Sequence, residues 1–300
     1  MSNVTPRIRV NVLAYNEEDF IELCLESINE AVSRHGCLEA EVNIICNGCR
    51  DNTYQVAERY CENRNGWNVF DVEFGDKANA WNFAIEQGYR DPILTVFVDG
   101  DCTITPDSIR SLLNSYLEQP NCYIIAGLPK TKGRTTDTTR SKTIEGEALS
   151  GNFYALTPSF LNKVYQLNFR LPVGLIGDDS LLAWVASHDF KLSTGFTNGY
   201  MRGCEGMEFY YHRLTPNSVK NIVQYVRRLH RYSLRHLQQS AIRVHLEHYD
   251  RFDSLPDDIQ TIYGHVKMDH LRLKSTQSAF DMLNYFKMKT PRQQYVKSRV

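Results

Sequence analysis

Apolar positions along the first hundred residues follow two alternating rhythms, short β-rich runs and stretches with helical spacing. That alternation predicts a βαβ wind, with parallel strands in one sheet and helices on its faces. A strand over Ile8 to Tyr15 leads into a helix over Glu17 to Arg34, whose Ile21, Leu25, Ile28 and Val32 share one face. A strand at Glu41 to Cys46, a helix at Asp51 to Cys61, a strand at Asn68 to Val72 and a helix at Lys77 to Gln87 continue the series. Ile93 to Val98 reads Ile-Leu-Thr-Val-Phe-Val, apolar on both faces, which predicts a central strand. It runs directly into Asp99-Gly100-Asp101. In open α/β sheets ligands bind beyond the carboxyl ends of the strands, so the polar residues there are the first candidates for chemistry.

Further along, Thr105-Pro106-Asp107 opens another helix, and Ser180 to Ser187 forms one behind the pair Asp178 and Asp179. Lys130 to Lys142 is rich in Thr, Lys, Arg and Gly without apolar periodicity, the pattern of a mobile loop able to close over a substrate. From Pro216 to about His248 the spacing predicts a long helix or a pair of helices. Val219, Ile222, Val223, Val226, Leu229, Ser233, Leu237, Ala241 and Val244 fall on one side, and Lys220, Arg227, Arg228, Arg231 and Arg235 on the other. Asp257 to Phe286 also reads as helical. No internal repeat or low-complexity tract interrupts the chain.

The composition, 42% hydrophobic and 23% charged over 300 residues, is that of a globular protein able to bury a core of its own. A mean hydropathy of -0.42 and the lack of any apolar run near the ~18 residues of a membrane span exclude a transmembrane anchor. The N-terminus lacks the charged-then-apolar order of a signal peptide, so the expected location is cytoplasmic, with or without peripheral contact with the membrane. The eight scattered cysteines then read as reduced thiols. Charge is divided unevenly: from Met201 onward there are 17 Lys and Arg against 9 Asp and Glu, leaving 17 against 26 before it. A basic last third suits nucleic acid, an anionic membrane surface or a phosphorylated substrate.

Asp99-Gly100-Asp101 places two carboxylates on one turn, with a glycine letting the backbone come close. Such a turn suits a divalent cation, and a cation suits a diphosphate; the same residues also serve as a cap before the helix at Thr105-Pro106-Asp107. Other strand ends carry Val12-Leu13-Ala14-Tyr15-Asn16-Glu17-Glu18 and Asn47-Gly48-Cys49-Arg50-Asp51-Asn52-Thr53, and Lys77-Ala78-Asn79-Ala80-Trp81-Asn82 opens the third helix. This ordered series resembles family 2 glycosyltransferases of the GT-A fold. Gly151-Asn152-Phe153-Tyr154-Ala155-Leu156 and Gly177-Asp178-Asp179-Ser180-Leu181-Leu182 stand where that family has its acceptor-side strand and its acidic pair before a helix. The resemblance covers roughly Arg7 to His212.

The resemblance implies an α/β GT-A fold, a mostly parallel central sheet with helices on both faces plus a helical C-terminal extension. It implies that Ala14, Tyr15 and Glu17 hold the uridine, that Asn47 belongs to the nucleotide loop, and that Asp51 accepts from the uracil ring. Lys77 would lie near the uracil or diphosphate. Asp99 would contact the ribose beside Gly100, and Asp101 would bind a Mn2+ or Mg2+ ion bridging the phosphates, with His212 completing its shell. Of the acidic pair, alignment on Leu182 favours Asp179 over Asp178 as the base for the acceptor hydroxyl, although both also suit the start of a helix. Trp184 and Tyr154 are candidates to stack on a sugar face or simply to fill the core. The sequence departs from the family pattern at Ala14, Cys49 and Ala78. Cys46-Asn47-Gly48-Cys49 has zinc-knuckle or redox spacing, but no second Cys-x-x-Cys accompanies it.

The chain therefore divides into residues 1–215, a transferase domain with a nucleotide part to about 102 and an acceptor part to 215, and residues 216–300, a basic helical extension. The expected reaction is inverting transfer from a UDP-sugar of the glucose or N-acetylhexosamine type to an acceptor glycan, lipid-linked sugar, peptide or small molecule. Lys220, Arg227, Arg228, Arg231 and Arg235 are candidates for contact with an anionic membrane; nucleic acid is disfavoured because no recognised binding motif accompanies the charge. Two rivals stay open: a sugar nucleotidyltransferase, whose Gly-rich basic loop is replaced here by acidic Glu17 and Glu18, and a non-catalytic binding protein using the basic helices.

Overall fold

Strand β1 (Arg7–Ala14) sends Ile8, Val10, Val12 and Ala14 to one face of a sheet and Leu13 to the other, the two-residue alternation of a strand buried on both sides. The computed structural model describes residues 7–36, 38–87, 93–130, 134–211, 219–272, 275 and 277–290. Helix α1 (Ile21–Ser33) starts four residues later than the apolar spacing predicts. Asn16 takes a left-handed conformation (φ 57°) and Phe20 closes a turn on the Glu17 carbonyl, so the acidic segment lies on the sheet's rim rather than inside the helix. β2 (Glu39–Asn47), α2 (Thr53–Cys61), β3 (Trp67–Val72), α3 (Lys77–Gln87) and β4 (Leu94–Asp99) follow as the pattern predicts.

The remaining elements are β5 (Cys102–Ile104), α4 (Ser108–Glu118), β6 (Ile124–Pro129), α5 (Arg134–Ile144), β7 (Phe153–Leu156), α6 (Pro158–Leu167), α7 (Asp178–Ser187), β8 (Met201–Tyr211), α8 (Val219–Tyr249) and α9 (Ser278–Lys289). The sheet order is β3-β2-β1-β4-β7-β6-β8-β5. β1 pairs in parallel with β2 and β4, and β2 with β3, whereas β7 runs antiparallel between β4 and β6. Helices α1, α2 and α4 cover one face; α3, α6, α7 and the second half of α8 cover the other. β4, apolar on both faces, sits at the centre, and the carboxyl ends of β1, β2 and β4 open on the same rim.

Two expectations are corrected. Of the segment from Lys130 to Lys142, residues 131–133 lie outside the described residues, and from Arg134 onward the structure has helix α5 rather than a mobile loop. Its anchors are polar, so apolar periodicity could not reveal them: Thr136 and Thr143 are buried, and Arg140 bonds Glu208 of β8 at 3.1 Å and the Pro129 carbonyl at 3.4 Å. Asp257 to Phe286 is not one helix but 3-10 turns at Ile259–His265 and Met268–His270 followed by α9. Ile259, Ile262, Val266 and Leu271 drop singly into the core, a spacing that bends the backbone over the surface instead of laying one stripe on it.

Candidate active site

The rim is built by loops that hold one another. Gly48 (φ +64°) packs directly on Gly75; a Cβ on Gly48 would stand 2.5 Å from the Gly75 backbone, so only glycine lets the β2–α2 and β3–α3 loops meet. Asn47, buried at the end of β2, accepts from the Asp76 N–H at 2.9 Å. Asp76 in turn caps α3 through the Asn79 N–H (2.8 Å) and receives the Gly174 N–H (3.0 Å), which ties the donor-side rim to the loop before α7. Asp51 accepts from the N–H and hydroxyl of Thr53 and from the Glu18 N–H. Burial works against its charge, but these donors hold its carboxyl below the ordinary value. Its oxygens are therefore already engaged in joining the first two rim loops. Ala14 is buried, with its carbonyl accepting the Cys49 thiol, and Tyr15 projects into solvent beside Gly75.

Carboxylates crowd the end of β4. Gly100 donates to the Leu13 carbonyl at 2.9 Å, folding the Asp99-Gly100-Asp101 turn against β1. Burial, then Asp101, Asp99 and Asp51, push the Glu17 carboxyl up to about 8. Asp99 is raised to about 6 by burial, with Lys77 pulling it down and Asp101 adding to the rise. Lys77 is the hub of this cluster. Its ammonium lies 2.6 Å from Asp99 Oδ1, 3.9 Å from Asp178 Oδ2 and 3.3 Å from the Gly151 carbonyl. Burial disfavours its charge, yet Asp178 and Asp99 outweigh burial and hold it above its ordinary value. Asn152 donates to the second oxygen of Asp99 at 3.3 Å.

On the other side of the cleft, α7 opens with the acidic pair. Asp178 is buried beneath Lys77, and its Oδ2 has no hydrogen-bond partner among the described residues. Asp179 Oδ1 accepts from the Ser180 N–H at 2.8 Å and pairs with Arg235 of α8 at 3.0 Å. Arg235 also donates to the Ser180 hydroxyl. Its guanidinium fits because Gly177 (φ +94°) has no side chain: a Cβ there would lie 2.5 Å from Arg235 Nε. Both partners that Asp179 has among the described residues use Oδ1. Its Oδ2 stands on the Gly151 side, 3.6 Å from where a Gly151 Cβ would be. Burial and the adjacent Asp178 raise the Asp179 carboxyl, against the pull of Arg235 and Lys77.

The structure thus brings together Glu17, Lys77, Asp99, Gly100, Asp101, Asp178 and Asp179. His212 and the side chain of Lys220 lie outside the described residues. Tyr154 is fully buried and stacked on Phe97 at 5.2 Å, so its ring fills the core and is not free to meet a sugar. Trp184 is part-exposed beside Arg243 and lines a groove of about 730 Å³ between α7 and α8. Arg235, expected on a solvated face with the other arginines of its helix, faces Asp179 instead. Asp76 was recoverable from sequence, because an Asp just before a helix is a capping signal. Nothing in the spacing of α8 marks Arg235.

A profile of glycosyl transferase family 2 matches residues 10–174, more than half of the chain. The chain belongs to glycosyltransferase family 2. EpsH of Bacillus subtilis (strain 168) is 27% identical over 146 residues, 48% of this chain and 40% of that protein. The poly-beta-1,6-N-acetyl-D-glucosamine synthase of Staphylococcus aureus (strain MSSA476) is 27% identical over 137 residues, 46% of this chain and 32% of the synthase. The match therefore spans less than half the length of either curated relative. Among solved structures, a mannosyltransferase, PcManGT from Pyrobaculum calidifontis in complex with GDP-Man and Mn2+, superposes with a TM-score of 0.60 at 15% identity, covering 95% of this chain and 88% of that one. S. aureus TarS 1-349 in complex with UDP-GlcNAc gives 0.50 at 16%, covering 94% and 90%. The fold of this family 2 chain is GT-A.

The residues at the end of β4 fit the divalent cation that the sequence resemblance implies. Among the described residues Asp101 Oδ1 receives the Cys102 thiol, at 3.3 Å, and no other donor, while Lys77, which reaches Asp99, is committed to Asp99 and Asp178. Burial, the larger cause, raises the Glu17 carboxyl together with Asp101, Asp99 and Asp51, so that further carboxylates gather around Asp101. Among the described residues no three His, Cys, Asp or Glu form a cage; a Mg2+-type site needs only one or two carboxylates together with substrate phosphates.

Proposed function

We propose that this family 2 glycosyltransferase moves a hexosyl group from a UDP-sugar, of the UDP-glucose or UDP-N-acetylhexosamine type, to an acceptor hydroxyl with inversion. The observation that carries the reading is Oδ2 of Asp179, which has no partner among the described residues and lies on the side of Gly151, whose carbonyl receives the Lys77 ammonium that also pairs with Asp99. TarS, solved with UDP-GlcNAc, supports the donor class, and the name of the synthase relative supports a glycan acceptor.

Asp179 Oδ2 takes the acceptor's proton as its oxygen bonds to the anomeric carbon, while the bond from that carbon to the diphosphate oxygen breaks and UDP departs. Attack from the side opposite the leaving group gives inversion. Burial makes Asp179 a better base than an exposed carboxylate, and Arg235, bonded to Oδ1, fixes its orientation and keeps it ionised. Lys77 holds Asp99 toward the ribose and Asp178 beneath the cleft. Glu17, Tyr15 and Asp51 frame the nucleoside, with Asn47 fixing the rim loop and the Ala14 backbone at its floor. Asp101 would hold a Mn2+ or Mg2+ ion, which when bound offsets the charge of the departing diphosphate.

UDP release from UDP-glucose and UDP-N-acetylglucosamine, with water as the default acceptor and Mn2+ present, tests the reading. Asp179→Asn should lower kcat by about 10²–10⁴-fold and leave UDP affinity unchanged. An unchanged kcat would remove Asp179 as the base; turnover of GDP-mannose alone would reassign the donor.

A further inference from the structure

The first turns of α8 leave the body of the protein. Every residue from Ile222 to Arg228 is exposed, with Ile222 at 51%, Val223 at 44%, Tyr225 at 50% and Val226 at 46%. From Ser233 onward the same helical stripe is buried, through Leu237 and Ala241. Where the two regimes meet, α9 docks: Asn284 donates to the His230 carbonyl at 3.1 Å and to the Ser233 hydroxyl at 3.0 Å. α9 also presents apolar side chains outward, Met282, Leu283 and Phe286, the last 59% exposed.

The charge on these two helices has one sign. No Asp or Glu occurs between Val219 and Leu246, and Arg227, Arg228 and Arg231 are exposed. α9 adds exposed Lys287 and Lys289, while its one acid, Asp281, is buried in a bidentate pair with Arg272 at 2.7 and 2.8 Å. A second copy of this surface would bring like charges face to face, and nucleic acid has no use for the exposed valine, isoleucine and phenylalanine. Exposed apolar groups flanked by cations match an anionic lipid surface, whose headgroups attract the arginines while the apolar side chains enter the acyl boundary.

We propose that the projecting half of α8, with the outer face of α9, docks the protein on anionic membranes. Arg227, Arg228 and Arg231 carry the electrostatic part, and Ile222, Val226 and Phe286 the apolar part. Arg235 takes no part, being held by Asp179. Among the described residues no helix is long and apolar enough to cross a membrane, so the attachment is to the surface. This inference does not depend on the transfer reaction proposed above.

Co-sedimentation of the full chain with vesicles of phosphatidylcholine alone, and of phosphatidylcholine mixed with an equal amount of phosphatidylglycerol, is the test. Binding is expected only to the anionic vesicles and should weaken with salt. The double variant Arg227→Glu, Arg228→Glu should lose roughly tenfold or more in affinity, and Val226→Asp should also weaken binding, both keeping the native circular dichroism because the sites are exposed. Equal attachment to both vesicle types, none to the anionic ones at low salt, or indifference to both variants would overturn the proposal. So would a concentration-dependent dimer abolished by Val226→Asp, or a nucleic-acid affinity exceeding that for the anionic vesicles.

Discussion

The two halves of α8 share one sequence pattern and meet opposite surroundings. Beyond Ser233 the apolar stripe is sealed in the core and Arg235 closes on Asp179; before it the same stripe and its arginines stand in solvent. Periodicity specifies a helix and its faces, but whether a face is covered depends on what the rest of the chain brings to it. One helix thereby both reaches the acidic pair that opens α7, through Arg235, and presents a projecting surface.

The sharpest way to break that contrast is truncation at matched positions. Leu237→Ala should destabilise the fold by about 2–5 kcal/mol, whereas Val226→Ala should stay within about 0.5 kcal/mol, both read from denaturant unfolding. Comparable losses would mean that the first half of α8 is packed as well.

A smaller effect comes from Arg235, the arginine of α8 that pairs with Asp179. Arg235→Ala removes the cation opposing Asp179's burial, so the carboxyl's pKa rises further and the acidic limb of the pH–rate profile moves to higher pH. The rate of UDP release should fall on the acidic side of the profile and recover as the pH is raised. Arg228→Ala, on the same helix, should leave the profile unchanged; identical behaviour of the two variants would erase the distinction between the halves.

The smallest effect lies on the acidic rim, the counterpart of the basic helix. Burial and the neighbouring carboxylates raise the Glu17 carboxyl from 4.5 to about 8. Its burden on folding is therefore absent below the unfolded value, grows as the pH rises between the two, and is constant above the folded one. Glu17→Gln should raise Tm by about 1–3 °C above pH ~8 and hardly at all near pH ~4.5. A gain that is the same at both ends would show that the crowding does not act through ionisation.

The nucleotide side of this molecule was legible because its code is local. β1, β2 and β4 are apolar runs that end in polar clusters, and the clusters meet because parallel strands end on the same rim. The pairing of Lys77 with Asp99 and Asp178 is a consequence of that geometry, since the start of α3 faces the end of β4. What escaped the sequence is held by long-range polar contacts: α5 by Thr136 on the Tyr211 hydroxyl and Arg140 on Glu208, Arg235 by Asp179, a partner 56 positions away in the numbering. The irregular stretch from Asp257 to Leu271 escaped for a different reason, since its apolar residues fit a helical spacing loosely and are each anchored separately.

The central claim, that the acidic rim around Asp101 receives a nucleoside diphosphate with a divalent cation, is tested most directly by isothermal titration of UDP into the native chain and Asp101→Ala, with and without Mn2+. The account predicts binding to the native chain that requires Mn2+ and is lost in Asp101→Ala. Binding that is equal in both chains, or no UDP binding by the native chain with Mn2+ present, would contradict it.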